Sequence, residues 1–367
     1  MNLLGARGDN AYMDQALALA VQGRGTTSPN PMVGAVVVSA LGAVVGTGFH
    51  ARAGDEHAEV RALREAGNSA RGATLYCTLE PCCHQGRTGA CAPRVVSAGI
   101  RRVVVAMVDP NPLVGGGGID YLRALGVEVQ VGVRSAAAHR LNTAFEAWVV
   151  RGRPFVTMKV AVSLDGRITA RVGERTQLTS EAATKMVHQL RDEVDAIGVG
   201  STTVLVDDPL LTARGGVRKR PLTRVVFDRR LRIPPTARLF DTLTEGPVVV
   251  LTTHQMLTAH PERAAAVRAA GARVEAVREG DIGAAAMRLG ELEITTLLLE
   301  GGTDVHRAAW SAGVVDRVQI FITPTVLGSD GVEWFSESES WMADLHHVRV
   351  CSYDPDLLIE GDVYRTD

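Results

Sequence analysis

The chain has 367 residues, enough for two domains of roughly 150 to 200 residues each. Its 39 Lys and Arg residues against 41 Asp and Glu residues leave a net charge of −2, which excludes a broad basic field for nucleic acid. The sequence has neither the long apolar run of a transmembrane helix nor the pattern of a signal peptide. We therefore expect a cytoplasmic protein that acts on a small molecule, without nucleic-acid or membrane partners.

The first half predicts helices and strands in alternation. Residues 11–23 have helical spacing, and "MVGAVVV" and "GAVVGTGFH" predict two strands joined by a short turn. A helix from His57 to Ala66, the strand "ATLYCTL", a helix near Pro93, the strand "RRVVVAMV", a helix at 119–125 and the strand "VEVQVGV" follow. This order predicts an α/β layered sandwich with a largely parallel sheet.

The second half repeats that alternation after a predicted domain boundary. The charged, Pro-containing segment "VRGRPFV" at 150–156 follows the last helix of the first half, so we expect domains at 1–150 and 151–367. Strands are predicted in "FVTMKVAVSL", "DAIGVG", "TRVVFD", "PVVVLTT", "TTLLLEGG" and "RVQIFITP", with helices after Ser180, near 261–270 and at 281–290. The runs around "VRVCSY" and "LLIEGDVY" are expected to pair as an edge hairpin.

One cluster of residues indicates a metal centre. "GDEHAEVRAL" is followed by "LEPCCHQGRTGAC", and such a density of His, Glu and Cys in a cytoplasmic protein favours metal binding or catalysis over a disulfide. A catalytic zinc keeps three protein ligands and leaves a position for water, so His57, Cys82 and Cys91 are the predicted ligands. Glu59 is the predicted general acid and base. Cys83, adjacent to Cys82, is poorly oriented to share the metal.

The order His-x-Glu followed by Pro-Cys is the signature of zinc deaminases of nucleobases, although the second Cys here comes nine positions after the first. The alternative is a pair of buried helix-capping residues with incidental cysteines. Cys77 and Cys351, which lie in apolar runs, are expected to be buried small hydrophobic residues.

The sequence resembles a known family, the bifunctional deaminases and reductases of riboflavin biosynthesis. The resemblance rests on "TTSPNPMVGAVVV", "GFHARAGDEHAEVRAL", "TLEPCCHQGRTGAC" and "DPNPLVGGG", and on "KVAVSLDGRI", "TVLVDDPLLTAR", "VVFDRRLRIP", "LLLEGG" and "TPTVLGSDG". It implies a cytidine-deaminase-like α/β/α sandwich followed by a dihydrofolate-reductase-like α/β domain. It also implies hydrolytic removal of an exocyclic amine from a diaminopyrimidinone ribosyl 5-phosphate at zinc, and then NADPH-dependent reduction of the ribosyl group to ribityl.

For the deaminase domain the resemblance implies the same zinc ligands, the same proton carrier and a set of substrate contacts. These contacts are Asn30, His50, Arg87, Asp109 and Asn111. An Asn side chain offers both donor and acceptor to a pyrimidine edge, and Arg87 and His50 suit a phosphorylated ribose. Asn30, which precedes Pro31, could equally belong to a turn alone.

For the reductase domain the resemblance implies catalytic, substrate and cofactor positions. Lys159 and Asp207 are the expected catalytic residues. The expected substrate contacts are Arg191, Leu211, Arg214 and Glu300, and the expected cofactor contacts are Ala161, Thr203, Asp207, Arg229, Gly301, Gly302 and Thr303.

Two of these cofactor assignments also rest on local sequence patterns. Arg229 or Arg230 follows the strand "TRVVFD" and suits the 2′-phosphate of NADPH, unless both arginines are only solvated surface charges. Gly301-Gly302 between a strand and a helix suits a cofactor phosphate, although two glycines also occur in any tight turn.

The reductase half departs from the family pattern at two places. Arg175, Thr176 and Gln177 stand where many members carry Ser-Gln-Trp, so the aromatic residue expected at the cofactor is missing. His306 and Arg307 stand where small or apolar residues are usual.

Two alternative functions remain open. One is a deaminase whose second half only binds or dimerises. The other is a nucleic-acid-editing deaminase, which the near-neutral charge and 4% aromatic content disfavour. A homo-oligomer is expected.

Overall fold

A computed structural model describes residues 3–83, 89–112, 114–214, 220–278, 281–334 and 344–364 of the chain. The chain forms two compact units, Met1–Gly152 and Arg153–Asp367. The division lies just after a helix that ends at Arg151, where Gly152 adopts a left-handed conformation with φ of 69°.

The first unit contains a five-stranded sheet in the order β2-β1-β3-β4-β5. Its strands are β1 (Gly34–Val38), β2 (Val44–Phe49), β3 (Thr74–Cys77), β4 (Arg102–Val105) and β5 (Glu128–Val131). β3, β4 and β5 run parallel, whereas β1 is antiparallel to both β2 and β3. The sheet is therefore largely parallel, as expected: β2, β3, β4 and β5 run in one direction, and β1 alone is reversed. The cause is the short turn between β1 and β2, which can join only antiparallel neighbours.

Six α-helices accompany this sheet in the described part of the chain, and all but the last contribute to one apolar core with it. They are α1 (Leu3–Val21), α2 (Ala58–Ala66), α3 (Cys91–Ser97), α4 (Gly117–Ala124), α5 (Ser135–Leu141) and α6 (Thr143–Arg151). The core combines valines from β1 and β4 with alanines from α1 and α2, so small side chains let these helices lie close to the strands.

Two glycines of β2 set the distance between the sheet and α2. A Cβ atom on Gly46 would lie 2.2 Å from the carbonyl oxygen of Ala62, and one on Gly48 would lie 2.2 Å from the carbonyl oxygen of Ala58. Because both neighbours are backbone atoms, only glycine allows this approach at these two positions. The first turn of α2 is thereby held directly against the strand.

The second unit contains a nine-stranded sheet in the order β11-β10-β9-β8-β12-β6-β13-β16-β15. The strands from β11 to β13 in this order run parallel, and β16 and β15 add an antiparallel hairpin at the edge, as predicted. A separate two-stranded sheet pairs β7 with β14. The strands are β6 (Phe155–Ser163), β7 (Arg167–Thr169), β8 (Ala196–Gly200), β9 (Thr223–Phe227), β10 (Val248–Thr253), β11 (Ala272–Val277), β12 (Thr296–Gly301), β13 (Val315–Thr323), β14 (Val332–Glu333), β15 (Asp344–Tyr353) and β16 (Asp356–Tyr364).

Both faces of this parallel sheet are covered, which explains why β8 and β10 are buried along their whole length. The helices are α7 (Glu181–Glu193), α8 (Ser201–Asp207), α9 (His254–Ala259), α10 (Pro261–Ala269), α11 (Ile282–Glu291) and α12 (Thr303–Ser311). One core packs α11 and α12 against the sheet, and a second core packs α8 and α10. The unit is therefore a three-layer α/β structure.

Among the cysteines expected to be buried, Cys77 is fully buried and Cys351 is exposed. The prediction for Cys351 was wrong because β15 is an edge strand whose residues are mostly exposed. Within the described residues, no helix combines the length and the apolarity that a bilayer crossing requires.

Candidate functional site

The predicted ligands of the first unit form one compact cluster. Nδ1 of His57 lies 3.1 Å from Sγ of Cys91 and 3.6 Å from Sγ of Cys82. All three donor atoms lie within 4.8 Å of one another. No other group of three such ligands occurs in the part of the chain that the structure describes.

Secondary structure places each of these three side chains. His57 occupies the N-cap position of α2, but its ring makes no capping hydrogen bond and turns towards the thiols. Cys91 is the first residue of α3, and its backbone N–H donates to the carbonyl oxygen of Cys82 over 3.0 Å. This bond closes the loop between the two cysteines and keeps their sulfur atoms together.

The cluster fits a tetrahedral zinc ion. For Zn–S bonds of about 2.3 Å and Zn–N bonds of about 2.0 Å, tetrahedral ligands lie about 3.6 Å apart. The observed donor separations are close to that value. A hydrogen bond from Cys91 lowers the pKa of the Cys82 thiol, which favours the thiolate that zinc requires. Three ligands leave one position of a tetrahedron for water.

Glu59 lies beside this cluster in the first turn of α2. Its side chain is buried and hydrogen-bonds with the Cys91 thiol. Burial raises the pKa of the Glu59 carboxyl to about 7, although the nearby His57 acts in the opposite direction. A carboxyl group with a pKa near neutrality can both accept and return a proton at physiological pH.

Asn30 and His50 form a second polar pair near the cluster. Nδ1 of His50 donates to the carbonyl oxygen of Glu56 over 3.3 Å, so Nε2 accepts from the Asn30 amide at 3.1 Å. The His50 ring packs edge-on against His57, with centroids 5.5 Å apart. Burial lowers the pKa of His50, which keeps the ring neutral. Asn30 also closes a turn through its backbone N–H to Thr27, so its two interpretations are compatible.

Asp109 and Asn111 lie together in the loop between β4 and α4. One carboxylate oxygen of Asp109 accepts from the backbone N–H of Asn111 over 2.9 Å. Arg87, also expected to contact the substrate, lies outside the described residues.

The second unit contains a cavity of about 1370 Å³ at the carboxyl ends of its parallel strands. All the residues that the sequence assigned to the reductase site line this cavity, although they come from distant parts of the chain. They are Lys159, Ala161, Arg191, Thr203, Asp207, Leu211, Arg214, Arg229, Glu300, Gly301, Gly302 and Thr303. Ligands of open α/β sheets bind at this edge.

The lining of the cavity carries an excess of positive charge. It contains ten Lys and Arg side chains against six Asp and Glu side chains, in a chain whose net charge is −2. The predicted Arg229 and Arg230 are exposed here, and Arg232 joins them by donating to the hydroxyl groups of Ser201 and Thr202. Such concentrated charge favours phosphorylated ligands.

A partly buried ion pair forms one wall of the cavity. Arg191 donates to both carboxylate oxygens of Glu300, over 2.7 and 2.6 Å, and to the carbonyl oxygen of Thr212. The amino group of Lys159 lies 5.5 Å from the centre of the Phe321 ring, and burial lowers its pKa. Burial also raises the pKa of Asp207 at the end of α8.

The two departures in the reductase half lie in this same cavity. Gln177 is exposed and donates to Thr179 in its own segment. His306 is buried in α12: its Nε2 donates to the carbonyl oxygen of Leu299, and its Nδ1 accepts from the indole N–H of Trp334, each over 3.2 Å. An aromatic side chain therefore lines the cavity, but it belongs to Trp334 and not to residue 177, where the family pattern has one.

Sequence reasoning missed three residues of these sites. His188 lines the cavity and accepts the backbone N–H of Arg214; its position three residues before Arg191 on α7 was a usable signal. Trp334 had no such signal, because its partner His306 is distant in sequence. Glu80 was part of the quoted motif, but its backbone partners lie 29 to 39 residues further along.

These features define a zinc-dependent deaminase unit joined to a reductase unit. Residues 6–107 match the family described as the cytidine and deoxycytidylate deaminase zinc-binding region. Residues 154–359 match the RibD C-terminal domain. The riboflavin biosynthesis protein RibD of Aquifex aeolicus is 41% identical over 320 residues, covering 87% of this chain and 88% of the relative. The RibD protein of Escherichia coli is 39% identical over 334 residues, covering 88% and 89%.

Solved structures agree with these sequence matches. RibD of Acinetobacter baumannii superposes with a TM-score of 0.87 at 34% identity, over 98% of this chain and 100% of that one. The diaminohydroxyphosphoribosylaminopyrimidine deaminase/5-amino-6-(5-phosphoribosylamino)uracil reductase of Thermotoga maritima gives 0.82 at 30% identity, with the same coverage. The chain belongs to the RibD family. It is a bifunctional deaminase and reductase of riboflavin biosynthesis, with zinc and NADPH as cofactors.

Proposed function

We propose that the chain converts a diaminopyrimidinone ribosyl 5-phosphate to its ribityl product in two steps, with the named residues in the roles given below. The observation that carries the proposal is the convergence of His57, Cys82 and Cys91 beside the buried carboxyl group of Glu59. The positively charged cavity in the second unit supports the second step.

In the first step a C–O bond replaces a C–N bond, and ammonia leaves. Zinc, when bound by His57, Cys82 and Cys91, supplies activation of a water molecule at neutral pH. Glu59 takes the proton of that water and delivers it to the leaving amine, a role that its pKa of about 7 suits. Asn30 holds the pyrimidine edge through its amide, and His50 orients that amide by accepting one of its hydrogens.

Asp109 and Asn111 complete the contacts to the base and ribose, and Arg87 contacts the phosphorylated ribose. Because the His50 ring is neutral, it places no positive charge beside His57, and the cluster keeps its affinity for a cation.

In the second step a hydride adds to C1 of the ribosyl group, the ring opens and its oxygen takes a proton. NADPH, when bound, supplies the hydride. Lys159 and Asp207, whose pKa values burial shifts towards neutrality, are the proposed proton-transfer residues. Arg214 binds the substrate phosphate, and Leu211 lines the pocket beside it. The ion pair of Arg191 and Glu300 fixes the substrate end of the cavity.

The cofactor is proposed to lie along the carboxyl ends of β8, β9 and β12. Gly301, Gly302 and Thr303 present backbone N–H groups at the start of α12 to a phosphate. Ala161 and Thr203 line the same wall. Arg229 or Arg230 contacts the 2′-phosphate.

The direct experiment incubates the protein with the diaminopyrimidinone ribotide, with and without NADPH, and identifies the products by mass. Without NADPH we expect a product in which oxygen has replaced an amine. With NADPH we expect a product that has also gained two hydrogens. Deamination without any reduction would establish the alternative in which the second unit only binds or dimerises. No change in either condition would refute the proposal.

The role of Glu59 is tested by Glu59→Gln with Glu65→Gln as control. Glu65 lies on the same helix, but it is exposed and accepts hydrogen bonds from Thr47. Glu59→Gln should retain zinc and lose roughly 10² to 10⁴ in deamination rate, because Gln cannot carry a proton. An active Glu59→Gln enzyme would remove Glu59 from the mechanism.

We further propose that the protein is cytoplasmic and forms a homo-oligomer. Sedimentation of the purified chain measures the second property directly, and a mass equal to one chain would refute it.

A further inference from the structure

Glu80 is a buried carboxylate that the catalytic scheme does not use. It lies two residues before Cys82 and is only 3% exposed. Its partners are four backbone N–H groups, all in the segment between β4 and the first turn of α4. One oxygen accepts from Gly118 at 2.8 Å and Ile119 at 3.0 Å. The other accepts from Gly116 at 2.9 Å and Asp109 at 3.1 Å.

This arrangement joins two parts of the deaminase site. The loop that Glu80 holds begins at Asp109 and includes Asn111, whose backbone N–H donates to the Asp109 carboxylate. The segment after β3 that carries Glu80 continues through Pro81 to the ligand Cys82. A single side chain therefore sets the position of the loop of Asp109 and Asn111 relative to the loop of Cys82.

The glycines of the segment allow it to close around Glu80. A Cβ atom on Gly118 would lie 1.8 Å from the carbonyl oxygen of Pro81, and one on Gly117 would lie 2.9 Å from Sγ of Cys83. The run "GGGG" at 115–118 thus has a physical reason: its backbone packs directly on residues 81–83, with no room for side chains at these two positions.

We propose that Glu80 is a positioning residue of the deaminase, which holds Asp109 and Asn111 in the geometry that binds substrate. It acts through the backbone of the loop and touches neither substrate nor metal. This inference rests on the proposed substrate contacts of Asp109 and Asn111. A carboxylate suits the task because both its oxygens only accept, whereas a Gln side chain would direct its own N–H groups at two of the four donors.

The test compares Glu80→Gln with Glu65→Gln, another carboxylate of the same unit that accepts a backbone N–H. The measurements are zinc content, kcat and KM of deamination, and NADPH-dependent reduction of the deaminated ribotide. Glu80→Gln should keep zinc and reduction, and raise the KM of deamination by between about tenfold and a hundredfold, since small misplacements of binding groups have effects of this size. Glu65→Gln should resemble the unaltered enzyme.

Two outcomes would overturn the inference. Unchanged KM in Glu80→Gln would show that the four hydrogen bonds do not position the binding loop. Loss of zinc together with a fall in kcat at unchanged KM would assign Glu80 to the metal loop instead. If the unaltered enzyme fails to deaminate the ribotide, the proposed function fails rather than this inference.

A second measurement, hydrogen exchange, is made on the unaltered protein and therefore does not require Glu80→Gln to fold. The amides of Asp109, Gly116, Gly118 and Ile119 should exchange slowly, because all four donate to one buried carboxylate. Rapid exchange of these amides would contradict the proposed role.

Discussion

Replacement of His306 by Gln should remove a large part of the pH dependence of stability of the second unit. Burial lowers the pKa of His306 from 6.5 to about 4, and the nearby Lys159 acts in the same direction while Glu300 opposes it. Above pH 6.5 the ring is neutral in both the folded and unfolded chain. Between pH 6.5 and pH 4 the unfolded chain binds a proton that the folded chain does not, so stability falls as the pH falls.

The two pKa values set the magnitude of this effect. They differ by about 2.5, and each pKa unit corresponds to about 1.36 kcal/mol, so the largest loss is about 3.4 kcal/mol. At pH 4.5 the loss should already reach roughly 2.5 kcal/mol. Gln can keep both observed hydrogen bonds of His306, to Leu299 and Trp334, because its amide offers one acceptor and two donors.

The assay is urea unfolding of the full chain at pH 7 and pH 4.5, followed by tryptophan fluorescence, with His254→Gln as control. His254 is exposed at the start of α9. From pH 7 to pH 4.5 the free energy of unfolding should fall by roughly 2.5 kcal/mol more in the unaltered protein and in His254→Gln than in His306→Gln. Equal losses in all three proteins would show that His306 is protonated in the folded state, and would refute the reasoning from its burial.

Three further predictions concern the metal, the cofactor and the domains. Cys83→Ser should keep one zinc per chain and Cys91→Ser should lose it, as measured by metal analysis; the reverse result would change the ligand assignment. Arg229→Ala combined with Arg230→Ala should weaken NADPH binding by on the order of 1.5 to 3 kcal/mol in calorimetry and leave NADH nearly unchanged; equal affinity for both cofactors in the unaltered protein would contradict this. A chain ending at Gly152 should fold and deaminate alone, and an insoluble fragment that needs the second unit would argue for a shared core.

The zinc cluster could be predicted from the sequence because its residues carry rare chemistry in a fixed order. His57, Cys82 and Cys91 come at the junctions after β2 and β3, two strands that flank β1 and run in the same direction, so these junctions meet at one edge of the sheet. The alternation of strands and helices likewise predicted that the second unit is an α/β structure. The antiparallel pairing of β1 with β3 was not predicted, because the alternation of strands and helices does not give the direction of a strand.

The remaining features depend on contacts that leave no local pattern. Glu80 binds backbone N–H groups, which every non-proline residue possesses, so no residue type marks its partners. Trp334 and His306 are 28 residues apart, and Trp334 directly follows β14, whose pairing with β7 is not marked in the sequence. β7 and β14 span three and two residues, too few to show a period.

The close contact between β2 and α2 determines which sequence changes the deaminase can accept. His57 and Glu59 lie at the end of α2 that rests on Gly48, so a methyl group at this position would displace a proton carrier and a metal ligand together. A substitution that touches neither substrate nor ion could therefore abolish turnover. Divergence in this family member is consequently constrained at Gly48, a residue without reactive chemistry, as well as at the reactive residues that α2 carries.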